Sequence, residues 1–187
     1  MDLKSNWIAL FNRAASGTKE IRNLLTPLGA ALFIGFIAGL VFLSFRLDHW
    51  LKLPGLIPRP WHLIVSLPLL AIGLFLIGWS VLHFVKSKGT PVPFNPPPEL
   101  VQSGPYAHTR NPMLSGVFFL MFGLGIFSGS PTLVFFFTPL FIGINTWELK
   151  AIEEPELEKR LGQAYLAYRQ KTPMFIPRLS SGRKSDG

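Results

Sequence analysis

Cysteine is absent from all 187 positions. Disulfide frameworks, thiolate zinc sites and cysteine nucleophiles are therefore excluded from this chain. Charge is also scarce, at 15% of residues, against about 25% in an ordinary soluble domain. What fills the chain is apolar: 49% hydrophobic residues, including 17 phenylalanines. They stand in long blocks rather than at every third or fourth position, which is the pattern of membrane spans. The net charge of +8 raises the question of nucleic acid. The basic residues, however, cluster outside the apolar blocks, where membrane proteins keep them, and do not interleave with aromatics on a soluble face. No nucleic-acid partner is expected. The length suits one compact domain and leaves little room for a separate soluble catalytic one.

The blocks predict an all-α polytopic membrane bundle of about four spans. Residues 1–25 carry Trp7, Ile8, Leu10 and Phe11 among Lys4, Arg13, Lys19 and Arg22. They read as an interfacial amphipathic segment, with a frayed terminus as the bland alternative. No small-residue cleavage site follows the first apolar block, so a secretory signal is not expected. The membrane domain then covers 26–187, with spans over about 26–45, 62–85, 113–127 and 132–147. The first has a Gly35/Gly39 pair that would let another helix, or a second copy, approach closely. The second contains Pro68, a candidate kink. The last two are only about 15 residues each, or ~22–24 Å at 1.5 Å per residue. The polar turn Ser128-Gly129-Ser130-Pro131 joins them into a helical hairpin.

Lys and Arg counts set the orientation. The N-terminal segment holds four, the first loop three, the second loop three, the third none and the C-terminal segment eight. With four spans, fifteen fall on one side and three on the other. The N-terminus, the 86–112 loop and the C-terminus are thus expected in the cytoplasm. Leu157, Leu161, Tyr165 and Tyr168 recur at helical spacing and predict a cytoplasmic amphipathic helix over about 153–170. Residues 179–187 are polar and read as a disordered tail.

Ionisable residues at span ends are the informative ones, because burial in a membrane is costly. One cluster runs from Ser103 to Met113, through Gly104, Pro105, Tyr106, His108, Thr109, Arg110, Asn111 and Pro112. Gly-Pro marks a turn and Pro112 suits the first turn of the third span. Arg110 can hold a carboxylate through two parallel hydrogen bonds. It can equally be a positive flank bound to lipid phosphate. The other cluster is Glu148, Glu153 and Glu154, just after the fourth span. A carboxylate pair there can bind a cationic amine or ribose hydroxyls, or pair with Arg110 across the hairpin. It can also be an ordinary acidic helix N-terminus.

Taken together, these segments resemble the membrane methyltransferases of the isoprenylcysteine carboxyl methyltransferase and phospholipid methyltransferase superfamily. Those proteins carry Gly-x-Tyr-x-x-x-Arg-His-Pro-x-Tyr, similar here to the run from Gly104 through Tyr106, Arg110, Asn111 and Pro112 to Leu114. A Glu-Glu pair follows, here Glu153-Glu154, and then Gly-x-x-Tyr-x-x-Tyr, here Gly162, Tyr165 and Tyr168. Family tails often look like Pro173-Met174-Phe175-Ile176-Pro177. The resemblance covers about residues 89–178. It departs at Asn111, where His is usual, and at Leu114, where Tyr is usual. Asn-Pro-Met looks like the phospholipid branch.

The resemblance implies S-adenosylmethionine as methyl donor and a lipophilic, prenyl-like or lipid-like acceptor that enters from the bilayer, with membrane lipids as the surroundings. In that reading Arg110 holds the methionine carboxylate or orients the acceptor, and Glu153 and Glu154 take the amino group or ribose. Gly104, Tyr106, Asn111, Pro112 and Met113 shape the adenine and ribose pocket, and Gly116 allows close approach. His108 is a candidate general base for an amine acceptor. Methyl transfer from a sulfonium needs alignment more than a nucleophilic side chain. The Pro-rich run 91–98 should be extended and either covers the site or is a stiff linker. His49, His62 and His83 are scattered and predict no metal site. The rivals are a sterol-reductase-like enzyme with a nicotinamide cofactor and a non-catalytic membrane partner. A transporter is disfavoured by charge-free span interiors and the lack of repeats.

Overall fold

The computed structural model describes residues 19–58, 60–86 and 100–177, with the side chains of the first helix described from Pro27 onward. Residues 1–18 of the expected interfacial segment, the run 91–98 and the tail 179–187 lie outside them. Among the described residues every regular element is helical. Helix α1 is Lys19–Leu51 and α2 is Trp61–Lys86. Both are long and apolar enough to cross a bilayer, α1 over Pro27–Leu51. Pro68 sits inside an unbroken α2. Helix α3 is Pro112–Ser128. At 17 residues it reaches about 25 Å, somewhat short of ~30 Å of hydrocarbon. Helices α4 (Thr138–Glu148), α5 (Glu154–Leu161) and α6 (Gln163–Lys171) complete the order.

The fourth apolar block does not stop where its hydrophobicity stops. From Pro131 the chain stays helical to Leu161, through two π-helical turns at Leu133–Phe137 and Leu149–Glu153. Each turn ends two residues before a proline, Pro139 or Pro155. A proline lacks the N–H for the i−4 carbonyl and its ring crowds that carbonyl. Widening to i−5 bonds accommodates this: Thr138 N–H donates to Leu133 O and Glu154 N–H to Leu149 O. The expected single helix over 153–170 is instead two helices that turn at Gly162, whose φ is +57°.

Helices α2 and α3 pack through small residues. Ser66, Gly73 and Ser80 are buried on α2 at seven-residue intervals. Opposite them, Gly116 and Gly123 of α3 are also seven apart and buried. A Cβ on Gly73 would lie 2.7 Å from Gly116 O, and one on Gly116 2.8 Å from Gly73 O. Only glycine permits that approach. Gly35 and Gly39 of α1, by contrast, have nothing among the described residues within 4 Å of a Cβ. Helix α1 meets the bundle elsewhere, with Phe33 and Phe36 against Phe141 at ring distances of 6.0 and 6.2 Å. The core is Val117, Phe118, Met121, Leu133, Phe137 and Phe141. Leu32, Ile34 and Phe42 of α1, and Leu74 and Phe75 of α2, are exposed. So much apolar surface suits acyl chains rather than water.

Polar contacts gather at two ends. At one, the Asp48 carboxylate accepts from Ser130 Oγ and from Thr132 N–H at 3.1 Å. This ties the end of α1 to the α3–α4 turn and satisfies orphan donors there. The 103–111 loop, α5, α6 and the segment Thr172–Phe175 meet at the other end.

Candidate functional site

The loop before α3 is built by its glycine and its prolines. Gly104 has φ +60°, and a Cβ there would fall 2.7 Å from the His83 ring. The short 3-10 turn Gly104–Ala107 follows. His83 Nε2 lies 2.9 Å from Ser103 Oγ, and the Phe84 ring meets Tyr106 edge-on at 5.0 Å. Tyr168 of α6 donates its hydroxyl to Tyr106 O at 2.7 Å. The loop is thus held by α2 on one side and α6 on the other.

This places Arg110 beneath α5 and α6. Its guanidinium forms an ion pair with Glu154, both side chains largely buried at 12% and 13% exposure. The same nitrogen, Nη1, donates to Tyr165 Oη at 3.3 Å. Arg169 approaches Glu154 at 3.9 Å and Glu158 at 3.2 Å. Arg110 Nε is buried with no hydrogen-bond partner among the described residues. A buried, unsatisfied guanidinium N–H is costly. An acceptor on an incoming anionic group could satisfy it.

The second π turn sets the carboxylates. Burial pushes the Glu153 carboxyl up to about 7, with Glu148, Glu156 and Glu154 adding to the shift and Arg160 opposing it. Burial raises Glu148 as well. A carboxyl that titrates near neutrality, next in sequence to the Arg110-paired Glu154, suits a cationic ligand group. Burial pushes Tyr165 up to about 12, with Glu154 adding and the bond from Arg110 opposing. Tyr106 and Tyr168 are raised chiefly by burial. All three phenols therefore stay neutral.

The structure brings Arg110, Glu154 and the Glu153 backbone turn together. Asn111, Pro112 and Met113 follow Arg110 directly into the first turn of α3. Tyr106 is buried, and the Asn111 amide Nδ2 lies 3.5 Å from Met174 O. Gly116 faces Gly73 of α2. His108 is exposed, its ring 6.4 Å from Trp79. Among the described residues no group of three His, Cys, Asp or Glu could hold a metal. Sequence reasoning did not single out Tyr165, Tyr168, Arg169 or Thr109 as site residues. The i, i+3, i+4 spacing of Tyr165, Tyr168 and Arg169 on one helical face was the available signal.

The phospholipid methyltransferase family model matches residues 61–164. No curated protein and no solved structure matches the chain. The match spans α2 through the start of α6, including the Arg110 loop and both glutamates, and gives the sterol-reductase reading no support. The chain therefore belongs to the phospholipid methyltransferase family, within the superfamily of isoprenylcysteine carboxyl and phospholipid membrane methyltransferases.

Proposed function

We propose that the protein is a membrane-embedded, S-adenosylmethionine-dependent methyltransferase acting on a lipid-like or prenyl-like acceptor. The observation that carries this reading is the buried Arg110–Glu154 pair with Arg110 Nε unpartnered. The methionine end of the donor is a zwitterion, and this pair offers a cation for its carboxylate and an anion for its ammonium. Glu153 stands beside it for the ammonium or the ribose hydroxyls. The 104–113 loop, with Gly104, Tyr106, Asn111, Pro112 and Met113, walls the adenosine. When bound, the sulfonium supplies an electrophilic methyl group already attached to a good leaving group. The chain's residues then need to bind, orient and exclude water, and no side chain must act as nucleophile.

Four crossings support this division of labour. The two long helices and the α3/α4 hairpin would span the bilayer, with the Arg110 end in the cytoplasm, where the basic residues concentrate. The cofactor would arrive from water and the acceptor sideways from lipid. Exposed His108, beside Trp79, is placed to accept a proton from an amine acceptor at the membrane surface.

Calorimetric titration of the detergent-purified protein with S-adenosylmethionine tests the reading. Micromolar binding is expected, lost in Arg110→Ala and in the Glu153→Gln/Glu154→Gln double variant. A folded wild-type protein that does not bind would overturn it.

A further inference from the structure

The segment after α6 returns to the Arg110 loop and hydrogen-bonds to it residue by residue. Arg110 N–H donates to Pro173 O at 2.8 Å, and Asn111 N–H to Met174 O at 3.1 Å. Thr109 Oγ1 donates to the same Met174 carbonyl at 2.7 Å. Ser115 Oγ, on the first turn of α3, lies 3.1 Å from Phe175 O. The Phe175 ring then packs edge-on against Phe118 at 5.1 Å, and Phe118 against Phe141 at 5.9 Å. Thr109 and Thr172 are both buried, at 4% and 5% exposure.

These contacts meet a specific need. The donors just before a helix have no partner within it, and Asn111, the N-cap of α3, makes no capping bond with its side chain. The loop backbone at 109–111 therefore takes its fixed geometry from the returning segment. Arg110 projects from the middle of that stretch. A small misplacement of a binding group costs affinity steeply.

We propose that Thr172–Phe175 is a positioning strap for Arg110. Met174 O is its hub, Thr109 its side-chain fastener and Phe175 its anchor in the core. It touches no ligand, and it holds the guanidinium where Glu154 and an anionic ligand group both reach it. The strap is legible as a role only on the reading of Arg110 given above.

The test uses the full chain in detergent and three readouts: S-adenosylmethionine affinity by calorimetry, thermal unfolding, and amide hydrogen exchange at residues 109–111. Thr109→Val keeps the shape and removes the hydroxyl. It is expected to weaken binding about fivefold while lowering the melting temperature by only about 2–4 °C, the cost of one buried hydrogen bond. Thr109→Ser restores binding. Phe175→Ala is expected to weaken binding further and to accelerate exchange at Arg110 and Asn111. Wild-type affinity in both Thr109→Val and Phe175→Ala, while Arg110→Ala abolishes binding, overturns the strap and leaves the functional reading intact. A loss of affinity that tracks a fall in melting temperature and is not rescued by Thr109→Ser reduces the segment to general packing and overturns it too. If Arg110→Ala binds as wild type, the functional reading fails. The strap then stands or falls on exchange, and unchanged protection of Arg110 and Asn111 in Phe175→Ala overturns it.

Discussion

Glu153 is held by burial and by Glu148 with a carboxyl near 7, well above the ordinary 4.5. Two consequences follow from the sign of that shift. The folded state keeps a proton that the unfolded chain releases, so Glu153 makes stability fall as pH rises from about 4.5 to 7 and level off above it. A cation bound beside it favours the ionised form, so ligand binding expels the proton. Affinity for S-adenosylmethionine should therefore rise between pH 6 and pH 8. Glu153→Gln should flatten both the affinity profile and the decline in stability. Unchanged pH profiles in that variant, followed by calorimetry and thermal melts, would remove Glu153 from the site. At this scale part of the site was legible in advance. Arg110 and Glu154 stand out because a charge at a span end demands a reason. Tyr165 and Arg169 do not, because their direction depends on the turn at Gly162. Thr109 does not either, because its partner is a backbone carbonyl 65 residues away.

Among the elements, the apolar helices were readable from hydrophobicity and their contacts were not. The Gly35/Gly39 pair reads as a packing motif yet meets nothing among the described residues, whereas Ser66, Gly73 and Ser80 mark the seam actually used. Their seven-residue spacing was present in the sequence but ran through a block whose every face is apolar. The π turns were similarly hidden, since a proline in an apolar run predicts a break or a kink before it predicts a widened turn. The seam makes a clean prediction. Gly73→Ala and Gly116→Ala each drive a methyl into the opposing backbone and should destabilise by about 1–3 kcal/mol. Gly35→Ala and Gly39→Ala should be neutral or slightly stabilising, within about 1 kcal/mol, through helix propensity. Thermal unfolding in one detergent would rank the four, and equal effects at both pairs would show that the α2–α3 seam is not what holds the bundle.

For the whole molecule, the contacts divide the polar ends into two groups. Asp48 joins the end of α1 to the turn at Ser130–Thr132, and a Cβ on Gly129 would lie 3.6 Å from Gly55 Cα. Loop 52–58 and the α3–α4 turn therefore share one end, and the Arg110 loop, α5 and α6 share the other. If the chain crosses four times, the Lys and Arg count would put the Arg110 end in the cytoplasm. The absence of cysteine makes the orientation directly measurable, because an introduced cysteine is the sole thiol in this chain and labelling can be read on the purified protein afterwards. Gly55 and Gln163 are exposed at opposite ends. With a membrane-impermeant maleimide on intact cells, Gly55→Cys should label at once, and Gln163→Cys only after the membrane is opened. The reverse pattern would invert the topology and place the site away from the cytosolic pool of methyl donor. Labelling of both from the same side would mean that an odd number of the apolar helices between them fails to cross. The short α3, about 25 Å long by its residue count, would be the first suspect, since α3 failing alone leaves α2 and α4 crossing and both sites on one side, whereas an α3/α4 hairpin that dips in and returns would keep them on opposite sides.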